Sequence, residues 1–142
     1  MRRPGHLLGR RPRRAAHPPR PARVGYWGEA VTSPAQAREL LLSTGAHGLA
    51  GDLFVDGSIG SRTAALRAPY ADAPGCTGNR YLDAAAVGAH VAACTEAGTQ
   101  AGFHVIGDAA ADTLLAGLDL AVAATSADAC GPPGTASSTW RW

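Results

Sequence analysis

Two short apolar runs, Leu53-Phe54-Val55 and Phe103-His104-Val105-Ile106, each end at an aspartate beside a glycine, Asp56-Gly57 in the first case and Gly107-Asp108 in the second. A continuous apolar run of this length fits a strand covered on both faces of a parallel sheet. Between the runs, Asp83 reads as the N-cap of a helix, with Val87, Val91 and Cys94 on one apolar stripe and Gly98 just past its end. A second helix follows the second run, capped by Asp108 and carrying Leu114, Leu115, Leu118 and Val122. Strand, loop, helix, strand, helix is the order of a β/α repeat, and it predicts an α/β fold with two parallel, adjacent strands joined by a right-handed crossover. The polar residues after both strands then share one face, where α/β sheets and barrels gather the side chains that meet a substrate.

The first strand is predicted over residues 49–55 and the second over 100–106. Upstream, residues 24–27 read as a brief strand or a packed aromatic turn. Ser33-Pro34-Ala35-Gln36 reads as a helix start, with Ser33 as N-cap, Pro34 at N1 and Gln36 at N3, in a helix that runs through Leu40, Leu41 and Leu42 and stops near Gly45. The connection 57–82 is rich in Gly, Pro, Asp and Asn, and a loop of that length in a compact domain is functional or disordered. Residues 1–23, dense in Arg and Pro and without a hydrophobic period, are expected to be a disordered tail. The folded portion is expected over 24–124, and from Thr125 to the end no regular element is predicted.

At 142 residues the chain can form one domain but not the roughly 250-residue complete β/α barrel. All 13 basic residues are arginine, and with 11 acidic ones the net charge is only +2. The abundance of Ala, Gly, Pro and Arg, all with GC-rich codons, points to coding bias rather than to a basic partner. The arginines near the N-terminus have almost no aromatic neighbours, which disfavours stacking on nucleic-acid bases and leaves only phosphate attraction. Cys76, Cys94 and Cys130 are too widely spaced for a Cys-x-x-Cys metal site and odd in number, so a reducing cytoplasm is the expected location. No unbroken run approaches the 18 or so apolar residues that span a bilayer, and Leu7-Leu8 is too short for the core of a signal peptide.

Candidate chemistry gathers after the two strands. His104, near the carboxyl end of its strand, is placed either to ligate a metal or to serve as a core histidine bonded to backbone. Asp52 and Asp56 are four apart, so in a regular strand they point to the same face and line one site; alternatively Asp56 caps the turn with Gly57 and Asp52 marks the solvated strand start. Ser58, Ser61, Arg62 and Thr63 supply donors beyond the strand. Arg62 is suited either to a substrate carboxylate or to an ion pair with Asp56 or Asp72. Asp108 is read first as an N-cap, a role compatible with supporting a neighbouring ligand. His6, His17, His47 and His90 fall in tail, loop or helix-surface positions and are read as incidental.

The segment Gly-Asp-Leu-Phe-Val-Asp-Gly-Ser-Ile-Gly-Ser-Arg-Thr-Ala-Ala-Leu at 51–66, then Ala-Pro-Tyr-Ala-Asp at 68–72 and Phe-His-Val-Ile-Gly-Asp at 103–108, resembles the amidohydrolase family 3 branch of the metal-dependent amidohydrolases, over residues 24–124. The resemblance implies a partial eight-stranded TIM-type β/α barrel, about strands 4 and 5 with their helices. It implies a hydrolase in which a divalent metal, often zinc, activates water against a carbon–nitrogen bond, of amide type but not peptide, in a small-molecule substrate. His104 then becomes a metal ligand, and Asp52 falls where many relatives carry a carboxylated lysine that bridges two metals. Asp56, Ser58, Ser61 and Arg62 open the substrate-side loop, with Asp108 supporting the metal site from behind. This chain has no lysine, and the His-x-His of the first barrel strand, the histidine of the sixth and the aspartate of the eighth are absent. His104 and Asp52 cannot complete a catalytic zinc site, which takes three protein ligands plus water.

The last residues suggest a cause. If residues 134–142 are written with the permitted codons ggc acc gcg tcg agc acg tgg aga tgg, the frame two bases on reads His-Arg-Val-Glu-His-Val-Glu-Met, which resembles the sixth-strand segment of the family. A frameshift between about 125 and 134 is therefore expected, and codons that cannot yield the shifted frame would remove it. The isolated chain is expected to be inactive and, with sheet edges and helix faces uncovered, to self-associate. The alternative function is a non-catalytic α/β interaction fragment with a basic tail, recognisable by salt-sensitive nucleic-acid binding.

Overall fold

Three short strands alternate with three helices in the computed structural model, which describes residues 23–128: β1 (Tyr26–Trp27), α1 (Pro34–Thr44), β2 (Gly48–Leu49), α2 (Ala84–Ala97), β3 (Gln100–Ala101) and α3 (Asp108–Asp128). The expectations for 1–22 and 129–142, including Cys130, the arginine-rich tail and the shifted frame, lie outside the described residues. The sheet is parallel throughout in the order β1-β2-β3, with Leu49 opposite Trp27 on one side and Ala101 on the other.

The two predicted strands do lie side by side and parallel, but neither is continuous. After Leu49 pairs with Ala101, the next bridge joins Phe54 to His104. Leu49 and Phe54 are five positions apart where their partners are three apart, so the first strand bulges by two residues. Gly51, at φ 100°, supplies the left-handed backbone that lets the chain loop out. Beyond the bulge the ladder resumes, with Val55 N–H donating to the His104 carbonyl (3.0 Å) and His104 N–H to the Leu53 carbonyl (2.8 Å).

The ends of α1 and α2 follow the sequence closely. Ser33 caps α1 by accepting from Gln36 N–H (3.3 Å), and Gly45 closes it at φ 69° with its N–H on the Leu41 carbonyl. The Gln36 side chain reaches back past the N-cap to accept from Thr32 N–H (3.1 Å), one residue beyond the Ser33 N–H that a reciprocal capping box would engage. Asp83 caps α2 through Ala86 N–H (2.8 Å), and Gly98 ends it at φ 75°. At α3, Asp108 lies inside the first turn, and the Ala65 carbonyl accepts from the Ala109 and Ala110 N–H groups (3.0 and 3.4 Å). Asp108 Oδ1 also accepts from Ala109 N–H (2.9 Å), so a long-range carbonyl shares the capping that the sequence assigned to Asp108. The helix also continues past Thr125, whose hydroxyl donates to the Ala121 carbonyl (2.9 Å), so regular structure extends to Asp128, beyond the limit expected near 124.

Two apolar clusters hold the layers together. One joins Val31, Ala37, Leu49, Ala93 and Cys94; the other joins Val55, Ala65, Val87, Ala109 and Ala110. Between α2 and α3 the helices approach so closely that a Cβ on Gly117 would sit 2.5 Å from Val87 Cγ1, and one on Gly88 3.0 Å from the Gly117 carbonyl. That contact needs small residues, so α3 buries Ala110, Gly117 and Ala121, while Leu115, Leu118 and Val122 are exposed. Of the apolar residues the sequence placed on this helix, Leu115, Leu118 and Val122 are turned outward, while Leu114 packs against the second cluster. Asp108–Ser126, with mean hydropathy 1.2 over 19 residues, is long and apolar enough to cross a membrane by length and composition alone. Asp112 and Asp119 interrupt the helix, so it holds no unbroken apolar run of that length. Here one side of that helix is packed on α2.

Candidate functional site

The connection 57–82 is ordered by its own polar groups. Gly57 N–H donates to the Thr63 carbonyl, and Thr63 and Ala64 N–H both donate to the Ser58 carbonyl, closing a tight turn at 3.0–3.1 Å. Inside it, Ser58 Oγ lies 2.9 Å from Ser61 Oγ, which lies 2.6 Å from Thr63 Oγ1. The hydroxyls expected to serve a substrate are thus bonded to one another. Tyr70 is buried with its hydroxyl on the Ala64 carbonyl (2.8 Å), and Leu66 N–H reaches the Thr77 carbonyl (2.8 Å). Gly78, at φ 80°, packs so tightly on the Ala64 carbonyl that no Cβ fits there.

Arg62 takes the left-handed conformation (φ 54°) and binds Asp72 through two nitrogens, Nε at 3.2 Å and Nη2 at 2.9 Å from Oδ2. Of the two roles left open for Arg62, the structure therefore places it in the ion pair with Asp72. The hydrogen bond to the guanidinium is the main reason the Asp72 carboxyl lies below its ordinary range. Asp108 accepts from Arg67 N–H (2.9 Å), and the Arg67 guanidinium grips Asp112 with two bonds. Together these tie the middle of the loop to α3.

Asp52 and Asp56 do not share a face. Asp52 lies on the bulge, exposed, in the wall of an open pocket of about 340 Å³ with Leu53, Phe54, Tyr81 and Leu82. Asp56 is fully buried, and its oxygens accept from the N–H groups of Ala65 (2.8 Å), Ile106 (2.9 Å) and Gly107 (2.7 Å). The bulge broke the two-residue alternation on which the shared-face expectation rested. With three backbone donors on it and no exposed surface, Asp56 has no face toward a substrate.

His104 sits half-buried at the polar end of the parallel ladder, its ring tilted against Phe54 at 4.8 Å. Its Nε2 is 2.9 Å from the Gly57 carbonyl. A carbonyl only accepts, so in the neutral ring Nε2 carries the proton and Nδ1 the lone pair. The position fits both roles considered from sequence, a backbone bond through one nitrogen and a free donor atom on the other.

The histidine that sequence reasoning set aside is His90. It is 1% exposed, accepts from Val31 N–H at Nδ1 (3.1 Å) and donates from Nε2 to the Leu49 carbonyl (3.2 Å). Burial, opposed by the Leu49 carbonyl, holds its pKa below the ordinary imidazole value. The signal was present in the sequence: His90 follows Val87 by three and precedes Cys94 by four, on the apolar stripe itself. Cys94 beside it is pushed up to about 11 by burial and stays a neutral thiol.

As a metal site these residues do not suffice. Among the described residues no three His, Cys, Asp or Glu side chains converge on a point that could hold an ion. His104 offers one nitrogen, Asp52 lines a pocket that His104 does not, and Asp56 is consumed by backbone.

The profile of the amidohydrolase family matches residues 14–134. YtcJ of Bacillus subtilis (strain 168), provisionally described as an amidohydrolase, is 36% identical over 63 residues, which is 44% of this chain and 12% of that protein. A metal-dependent hydrolase of Pyrococcus furiosus, itself uncharacterized, superposes with a TM-score of 0.51 at 29% identity, over 63% of this chain and 20% of its own. The chain therefore spans a fifth or less of the length of these relatives. With the family profile covering most of the sequence and both diagnostic motifs folded side by side on one parallel ladder, the chain belongs to amidohydrolase family 3.

Proposed function

We propose that this chain is one β/α portion of a metal-dependent hydrolase with a TIM-type barrel, acting on a carbon–nitrogen bond of amide type outside peptides. The observation that carries the proposal is His104: it stands at the polar end of a parallel ladder, in the family motif, with Nε2 bound to Gly57 and with no hydrogen-bond partner on Nδ1 among the described residues. In the complete enzyme a bound divalent metal, zinc or another, would supply an activated water; this chain would contribute His104 to its surroundings and no complete ligand set. Asp52, at the mouth of the neighbouring pocket, is the second residue proposed to face the reaction space. Ser58 and Ser61 act within the proposal as the frame of the substrate-side turn, and Arg62 with Asp72 as its outer brace.

On its own the chain is proposed to be inactive and prone to associate through the faces a barrel would cover. Leu115, Leu118 and Val122 on α3, and the open edges at β1 and β3, support this. The test has two arms. Purified chain is analysed for bound metal and for hydrolysis of a panel of N-acyl amines and cyclic amides, with no stoichiometric zinc and no turnover expected. The gene extended on both sides, to supply the missing barrel strands, is expected to bind metal and hydrolyse at least one member. Tight zinc with turnover by the short chain would contradict the incomplete site, and an inert extended protein would contradict the hydrolase.

A further inference from the structure

We propose that Asp56 is a positioning residue that acts through Gly57 to fix the ring of His104, so that Nε2 is always the protonated nitrogen and Nδ1 always the available one. Its consequence for catalysis rests on the hydrolase reading; the positioning itself does not. The Asp56 carboxylate ties three segments at one point. Ile106 and Gly107, the residues that end the second strand and open α3, donate to Oδ1 and Oδ2, and Ala65, on the return of the substrate-side turn, donates to Oδ2 as well. Among the described residues no cationic side chain pairs with it, and three amide dipoles and the first turn of α3 offset its charge.

The neighbouring peptide carries the constraint to the histidine. Gly57 N–H is held by the Thr63 carbonyl (3.1 Å), and a Cβ on Gly57 would collide with the Thr63 side chain, so the turn closes flush against this glycine. The Gly57 carbonyl is thereby aimed at His104 Nε2 at 2.9 Å. His104 is itself two residues before Ile106, so one carboxylate anchors both the acceptor and the strand that bears the donor. A bond whose two ends are fixed by the same buried group stays formed while either loop fluctuates.

The test is NMR on the full-length, isotope-labelled chain at alkaline pH, where imidazoles are neutral. The wild type is expected to show a protonated Nε2 and bare Nδ1 on His104, with an Nε2 proton that exchanges far more slowly than that of exposed His47. In Asp56→Asn, where an amide NH2 must face one of the backbone donors, exchange of the His104 proton is expected to accelerate about tenfold or more relative to a core amide such as that of Cys94. Val87→Ala, which weakens the same core without touching the tie, is expected to leave that ratio unchanged. The proposal is overturned if wild-type His104 carries its proton on Nδ1 or exchanges as freely as His47. It is equally overturned if Asp56→Asn keeps the wild-type ratio. The wild-type arm decides even where the variant does not fold, and no turnover is needed, so failure here and failure of the hydrolase reading are separate results.

Discussion

Replacing His90 should unfasten the first β/α unit. The ring bridges Val31 N–H and the Leu49 carbonyl, both in the buried cluster that joins α1, α2 and β2, and packs edge-on to Phe103 at 5.3 Å. In His90→Ala both backbone groups lose their partner in the interior, at about 1–3 kcal/mol each. Loss of the ring contact adds about 0.5–1.5 kcal/mol, and partial collapse or water entry offsets some of the total. A net loss of about 3–5 kcal/mol is expected, which at a urea m-value of about 2 kcal/mol/M moves the midpoint down by roughly 1.5–2.5 M. His90→Phe keeps ring and volume but neither bond, so it should still lose about 2–4 kcal/mol. His90→Gln retains a donor and an acceptor and should fall between it and wild type.

The same residue sets a pH dependence. Its folded pKa is depressed, chiefly by burial, so the neutral ring contributes stability that is fully present above the ordinary imidazole pKa of about 6.5 and is lost as pH falls below it. Protonation at Nδ1 would also cancel the acceptor that Val31 uses. Wild type should therefore lose stability from about pH 6.5 downward at up to about 1.4 kcal/mol per pH unit, and His90→Phe should not show this component. Urea titrations followed by far-UV circular dichroism at several pH values measure both effects. A His90→Phe chain within about 0.5 kcal/mol of wild type, with the acid-side slope intact, would refute the argument that the two bonds matter.

Gly117→Ala should destabilise the α2–α3 contact by about 1–3 kcal/mol despite the better helix propensity of alanine, because its Cβ meets Val87 at 2.5 Å; adding Val87→Ala should recover much of the loss in a double-mutant cycle. Gly78→Ala should cost about 2 kcal/mol or more from its left-handed backbone and the Ala64 carbonyl against it, read as a lower thermal midpoint. Cys94, with its thiol near 11 and buried, should resist maleimide at neutral pH while half-buried Cys76 reacts, and mass mapping before and after urea distinguishes them. Asp72 and Asp112 both have depressed pKa values from their arginine partners, so their contributions should persist above the ordinary carboxylate range and fade as pH falls through the lowered values. Arg67→Ala should remove the Asp112 part of that acid-side loss, with a small and salt-sensitive effect at neutral pH.

What the sequence determined alone was whatever a few neighbouring residues decide. Ser33, Asp83, Gly45 and Gly98 set helix ends because a cap bonds within three or four positions. The alternation of strand and helix, and the motifs that place the chain in its family, are likewise legible residue by residue. Tertiary structure decided the rest, because each outcome depended on a partner far along the chain. The two-residue bulge separated Asp52 from Asp56 only when the first strand met the register of the second. Ala65 joined Asp108 in capping α3, the small-residue contact with α2 turned Leu115 and Leu118 of α3 outward, and His90 found Val31 and Leu49 from 59 and 41 positions away. Asp56 reads as a site residue from its place at the end of a strand and four positions from Asp52; folding brought three backbone N–H groups onto it and buried the carboxylate.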